Sequence, residues 1–360
     1  MSINAVNTPC SGDLNHVLRT LREQITAPLN IMEVCGTHTV ALLKFGFKSF
    51  FKDRINFLSG PGCPVCVTSP QDIDRIIALA DAGVSVITFG DLLKAPGSSS
   101  SLAQKRAEGR RIYTVYNPLD ALEIARRIRG EAAFIGIGFE TTAPPVAALL
   151  DEIIRRKTPN LSLYTLLKTI PRAMCHLLSR HDYRIHGLIC PGHVSAVIGV
   201  APYDRIASDF RIPCVITGFE REDIAAGIIA LIRQIQSGRY LVENAYPRVV
   251  KSDGNLKARE YIRLFFQENE AVWRGLGMIP ESGLVLRPEF SEYHIVNRIA
   301  VEQPQVQEPE GCLCARIICG LNNPRDCRQF NAGCTPEHPL GPCMVSSEGS
   351  CHADYLYGSE

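Results

Sequence analysis

Short apolar runs that end on glycine recur along this chain and limit what it can fold into. The runs "VSVITFG" (84–90), "EAAFIGIGFE" (131–140), "IHGLICPGH" (185–193) and "IPCVITGFE" (212–220) are rich in β-branched and other apolar residues. Between them lie helical patterns such as "PQDIDRIIALADAG" (70–83) and "REDIAAGIIALIRQIQSG" (221–238). A strand that is apolar on both faces must be covered on both, and amphipathic helices between such strands are the usual cover of a parallel sheet. The expected class is α/β. With 360 residues the chain exceeds the size at which single cores stop growing, so two or three domains are expected.

Two segments resemble each other. "LSGPGCPVCVTSPQDIDRI" (58–76) and "LICPGHVSAVIGVAPYDRI" (188–206) share a strand end, a Pro-Gly turn carrying Cys63 or His193, and a helix start. Downstream, "VITFGD" (86–91) matches "VITGFE" (215–220) in nearly the same register. An internal duplication giving two similar lobes is the expectation. Open α/β sheets bind ligands beyond the carboxyl ends of their strands, so the Pro-Gly loops of both lobes are expected to face one cleft. Neither G-x-G-x-x-G nor G-x-x-x-x-G-K-[ST] occurs, which argues against a dinucleotide or triphosphate cradle.

A net charge of +1 gives no reason to expect nucleic acid or an anionic membrane as partner. No apolar run approaches the roughly 20 residues of a spanning helix. The start, "MSINAVNTPCSGDLNHVLRT", lacks the order of a secretory signal, so a cytoplasmic location is expected. Cysteine is the anomaly: 14 in the chain, seven of them from Cys312 to Cys351. In a reducing compartment such density points to metal or redox work rather than a disulfide framework. Cys175 and Cys214, in apolar surroundings, read as small buried hydrophobes.

Four stretches carry potential chemistry. "MEVCGTHT" (32–39) places Cys35 three residues before His38 and beside Glu33; "CPGHVS" (190–195) places Cys190 three before His193; "GFETTAP" (138–144) presents Glu140. A Cys and His so spaced can share a metal or pair as thiolate and imidazolium. "GPGCPVCVTSP" (60–70) holds Cys63 and Cys66 in a C-x-x-C loop, a spacing open to thiol redox work, metal ligation or a structural turn. The run 311–355 has little apolar periodicity and many turn residues, so ligation is expected to supply a constraint that packing does not. C-x-C (312, 314) is its only close pair. Uneven spacing suits an iron-sulfur cluster better than zinc, which takes two tight knuckles.

"MEVCGTHT", "SGPGCPVCVT", "GFETTAP", "CPGHVSAVIG" and "GPCMVSSEGSC" together resemble the signature segments of the HypD family, iron-sulfur proteins that mature NiFe hydrogenases, in a match running from about residue 31 to the C-terminus. The resemblance implies a scaffold on which an Fe(CN)2CO group is assembled with a HypC-type chaperone and a HypE-type cyanide donor. It also implies a 4Fe-4S cluster, because the family pattern C-x14-C-x6-C-x16-C falls on Cys312, Cys327, Cys334 and Cys351. Cys314 and Cys343 are then candidates for a dithiol near the cluster, and Cys319 for packing. Cys63 and Cys66 read best as a redox dithiol, since the loop offers no second C-x-x-C and a cluster in the same chain could supply electrons. Cys35, at an expected strand end, is the candidate thiolate for the iron, with His38 as hydrogen-bond or proton-transfer partner.

The expected cleft is lined by Cys35, His38, Cys63, Cys66, Glu140 and His193. The expected organisation is an N-terminal helical segment (1–30) packing on the C-terminal domain, a first lobe (31–123), a second lobe (124–240) and a C-terminal iron-sulfur domain (241–360). Two other readings use the same residues: a cluster-dependent protein disulfide reductase, and a zinc-stabilised binding module.

Overall fold

The computed structural model describes residues 11–180, 184–302 and 309–358. The described residues form the strands β1 (Leu29–Glu33), β2 (Ile55–Ser59), β3 (Ser85–Thr88), β4 (Ile112–Thr114), β5 (Ala132–Gly138), β6 (Leu161–Lys168), β7 (Gly187–Pro191), β8 (Cys214–Thr217), β9 (Val242–Asn244), β10 (Phe266–Trp273) and β11 (Gly277–Leu286), of which β3, β5, β7 and β8 are the four apolar runs expected as strands. The helices expected over 70–83 and 221–238 occupy Pro70–Asp81 and Arg221–Gln236. Ser69 caps the first by accepting the Asp72 N–H, with Pro70 in the first turn. The second opens with a capping box between Glu220 and Asp223.

The strands build two sheets. One is wholly parallel, in the order β2-β1-β7-β8-β9. The other, in the order β10-β11-β6-β5-β3-β4, is parallel except for the β10–β11 hairpin and its junction with β6. β5 and β6 are buried along their whole length, β5 as its unbroken apolar sequence requires and β6 with Ser162, Thr165 and Lys168 among its buried residues. The class is therefore α/β, with parallel pairing dominant.

The two sheets are not consecutive stretches of chain. β1 and β2 belong to the first sheet, β3 to β6 to the second, β7 to β9 to the first again, and β10–β11 to the second. A boundary near residue 123 does not separate them, because β1 pairs with β7, Ile31 facing Gly187. The look-alike stretches also take non-equivalent places: β2 and β7, which precede the two Pro-Gly turns, share one sheet, whereas "VITFGD" and "VITGFE" leave β3 and β8 in different sheets. Two duplicated lobes are thus not what the topology displays. Local strand signals carry no record of which distant strand becomes the neighbour.

The N-terminal helix Ser11–Gln24 lays Leu14, Leu18 and Leu21 into the cluster formed by Ile224, Ile228 and Ile232 of helix Arg221–Gln236. Its packing partner is that helix rather than the C-terminal region, and residues 1–10 of the expected segment lie outside the described residues. Each such buried aliphatic side chain contributes about 1.5–3 kcal/mol. The C-terminal run forms short helices, Cys314–Ile317, Pro342–Val345 and Ser350–Tyr357. Ile317, Ile318 and Met344 enter the same apolar cluster as Met32 of β1 and Ile135 of β5. No helix among the described residues is long and apolar enough to cross a membrane.

Candidate functional site

β1 ends at Glu33, and Cys35 is the extended residue that opens helix Gly36–Lys44, so its thiol stands at a carboxyl end of the first sheet. Glu33 fixes the turn, its carboxylate accepting the Cys35 N–H at 2.9 Å and the Thr39 hydroxyl. Buried without a full counter-charge, Glu33 is raised to about 7. The C-x-x-C loop lies directly against this turn: the Gly36 N–H donates to Gly62 O at 3.2 Å. A Cβ on Gly62 would sit 2.3 Å from the Cys35 nitrogen, so only glycine permits the approach. Cys63 then caps the one-turn helix Pro64–Val67, and its sulfur is joined to that of Cys66 in a disulfide with Cα atoms 5.2 Å apart. Cys35 is half-buried, and burial, reinforced by the carboxylates of Glu348 and Glu33, pushes its thiol up to about 12.

The two histidines of the expected site come together through a residue that the motifs did not single out. Phe219 stacks on His38 with centroids 4.6 Å apart, and on His193 with centroids 4.0 Å apart, so the rings form a three-layer stack. His38 Nε2 faces Gly218 O at 3.1 Å and Thr217 Oγ1 at 3.0 Å. A carbonyl only accepts, so Nε2 carries the proton and Nδ1 presents a lone pair, buried and without a hydrogen-bond partner. Burial lowers the imidazole to about 4. His38 is therefore neutral and does not activate Cys35 as an imidazolium, contrary to one of its expected roles.

Glu348, from the quoted "GPCMVSSEGSC", closes the site from the C-terminal side. It accepts the Thr37 hydroxyl at 2.7 Å, and its backbone packs on Gly36, where a Cβ would meet Glu348 O at 2.2 Å. Its charge acts on both Cys35 and His193. The motif contained Glu348, but only the tertiary packing places it at Cys35.

Cys312, Cys327, Cys334 and Cys351 line one small apolar void together with Cys314 and Cys343. Gly341 lies at its edge, where a Cβ would come 2.7 Å from the Cys312 sulfur. Among the described residues no three His, Cys, Asp or Glu side chains are grouped tightly enough for a single metal ion. The Cys314 and Cys343 sulfurs are 2.6 Å apart. Burial opposes ionisation of Cys314, but hydrogen bonds from Cys312 and Cys343 and the charge of Arg274 hold it below the usual thiol range. Cys319 is buried in the core, as expected.

The void and the C-x-x-C helix are neighbours. Cys66 Sγ lies 3.8 Å from Pro342 O, one residue before Cys343. Arg274, in the β10–β11 turn, ties both sides: its backbone N–H donates to Val67 O at 2.9 Å and its Nε–H to Thr68 O at 3.1 Å, while its charge reaches Cys314. Nothing local in the sequence marks Arg274, since its role arises from a hairpin two hundred residues beyond the loop it holds.

Glu140 takes a different position. It follows β5, accepts the Ile170 N–H at 3.0 Å on Oε1, and leaves Oε2 buried without a partner. Burial raises its carboxyl to about 8. It lies on the wall of a cavity that also includes Thr169 and Arg172, and not in the histidine stack.

A family model described as "HypD: Hydrogenase formation hypA family" matches residues 13–358. The chain is 42% identical over 349 residues to the hydrogenase maturation factor HypD of Rhodobacter capsulatus, covering 94% of this chain and 93% of that one. It is 40% identical over 341 residues to HypD2 of Bradyrhizobium diazoefficiens, covering 92% and 90%, and 39% identical over 339 residues to HypD of Cupriavidus necator, covering 91% and 89%. The chain therefore belongs to the HypD family of hydrogenase maturation factors.

Proposed function

We propose that this protein is the scaffold on which the Fe(CN)2CO group of a NiFe hydrogenase is put together, working with a HypC-type chaperone and a HypE-type cyanide donor in the cytoplasm. The observation that carries the reading is the direct packing of a half-exposed Cys35 on a redox-capable C-x-x-C loop, which itself touches a third group of thiols. Iron is cargo here, and Cys35 is its protein donor. The thiol is held protonated by burial, so binding of iron must displace that proton, and a coordinated thiol is deprotonated outright. The carboxylates of Glu348 and Glu33 both act on this thiol and are the groups proposed to carry the proton away. His38 and His193, spaced by Phe219, form a wall in which the Nδ1 lone pair of His38 is buried and without a hydrogen-bond partner.

Cys312, Cys327, Cys334 and Cys351 are proposed to hold a 4Fe-4S cluster. Four soft thiol donors around one apolar void, with a glycine where a side chain would collide with a donor sulfur, suit such a group. When bound, the cluster supplies single electrons. The chain's own thiols carry out exchange: as the Cys314/Cys343 dithiol reduces the Cys63–Cys66 disulfide, one S–S bond breaks and one forms, and two electrons and two protons pass to Cys63 and Cys66.

The row of thiols alone would serve a protein disulfide reductase equally well, but such an enzyme has no use for Cys35. Replacing Cys35 with alanine separates the two readings: loss of hydrogenase maturation with thiol exchange intact supports the scaffold, and intact maturation removes it. The redox pair has its own check. Oxidised protein should show two fewer titratable thiols than reduced protein at the C-x-x-C loop, and that difference should vanish in Cys66→Ser; an unchanged difference takes the pair out of the redox role.

A further inference from the structure

A cavity of about 960 Å³ lies away from the histidine stack, between helix Ile170–Ser179, helix Leu256–Phe265 and the β10–β11 hairpin. Five arginines line it: Arg172, Arg205, Arg259, Arg263 and Arg287. Against them stand Glu260 and Glu268, and Glu140, which at about 8 is largely protonated near neutrality. Arginine is thus the most frequent charged residue of the groove lining. Several of the arginines already have partners: Arg172 pairs with Glu268 and Glu281, Arg205 with Asp209, and Arg287 with Glu289. These are solvent-exposed pairs, worth about 0.2–1 kcal/mol each, and a stronger anion can displace them.

Two features point to an occupant rather than to a merely charged surface. On the groove wall, Glu140 Oε2 and Thr169 Oγ1 are buried, their residues 4% and 8% exposed, and neither atom has a hydrogen-bond partner. A protonated carboxyl and a hydroxyl can both donate to one incoming carboxylate, which would remove the cost of leaving them unsatisfied. The second feature is linear. Arg259 and Arg263 are one helical turn apart, with Leu256 (67% exposed), also on the groove wall, at the start of the same helix. A row of cations beside an exposed leucine fits a chain segment with acidic residues and an apolar anchor better than a compact anion.

We infer that this groove docks an acidic amphipathic peptide segment of a partner protein, with one carboxylate seated on Glu140 and Thr169 and others on the Arg259/Arg263 row. The inference does not depend on the iron reading, because its test involves no iron. The probe is a fluorescently labelled synthetic helix-forming peptide of alternating Glu and Leu turns, titrated by anisotropy with the anaerobically purified full chain. Saturable binding is expected, weakened at least about tenfold by moderate salt and by the double variant Arg205→Glu/Arg263→Glu, both of whose residues are exposed. The same peptide with Lys in place of Glu should not bind. An unchanged melting temperature and intact peptide-independent fold in the double variant show that the loss is not unfolding; an Arg263→Gln variant, which only neutralises, should give an intermediate loss. No binding, equal binding by the charge-reversed variant, or citrate binding more tightly than the peptide would each overturn the proposal, the last by assigning the groove to a small free acid.

Discussion

The Cys35 corner and the C-terminal cysteine void are both rich in thiols, yet they are built in opposite ways. Cys35 is located by backbone: a strand end, a helix start, a carboxylate beneath, and two glycines, Gly36 and Gly62, that let Glu348 and the C-x-x-C loop approach to contact. The C-terminal void is bounded by helices of only four and eight residues, and six of its eleven lining residues are cysteines. Short helices have little stability of their own. The first site is therefore fixed before any metal arrives, whereas the second depends on what its thiols hold.

The strongest way to break that contrast is to remove one thiol of the void. Cys327→Ala should lose most iron and acid-labile sulfide and open residues 309–358 to limited proteolysis, while the sheets keep their melting transition. Full iron content in this variant would show that Cys327 is not a ligand and that the void is packed like an ordinary core.

A smaller effect, at the other site, comes from Gly62→Ala. The added Cβ must push the C-x-x-C loop away from Cys35, which should cost about 1–3 kcal/mol in chemical denaturation, as overpacking usually does. Iron and sulfide should be unaffected. If stability is unchanged, the corner is not preformed and the contrast fails there.

The mildest effect is a pH slope. Glu140 has a carboxyl raised to about 8 in the fold against 4.5 when free. The folded state thus binds the proton more tightly, so its contribution to stability is complete below the unfolded value and is lost as pH rises through the folded one. The slope is at most about 1.4 kcal/mol per pH unit within that window. Glu140→Gln should flatten the decline in urea stability between about pH 5 and about pH 8. A variant that declines as steeply as the parent would mean that Glu140 is ionised in the fold.

Much of this architecture is legible in the sequence, for reasons that are local. Apolar runs, Ser69 before Pro70, and Glu220 with Asp223 define strands and helices without reference to anything distant. Cys35 at a strand end and Cys63 at a Pro-flanked turn follow from the same short-range signals. What the sequence does not display is pairing across long separations. The return of the chain from β6 to β7 beside β1, the insertion of Phe219 between two histidines, the reach of Arg274 to Val67 and the closure by Glu348 are all contacts between segments tens to hundreds of residues apart. His38 shows the limit most clearly. Its spacing from Cys35 invites an imidazolium role, and only burial against Gly218 and Thr217 reveals a neutral ring.

Cys35 is the residue proposed to hold the iron. The most direct measurement is the infrared spectrum of the Cys35→Ala protein co-purified anaerobically with its chaperone and compared with the parent complex. Loss of the cyanide and carbonyl stretching bands, with the iron and sulfide of the C-terminal void retained, is the predicted result. Bands of undiminished intensity would contradict it and move the iron to another donor.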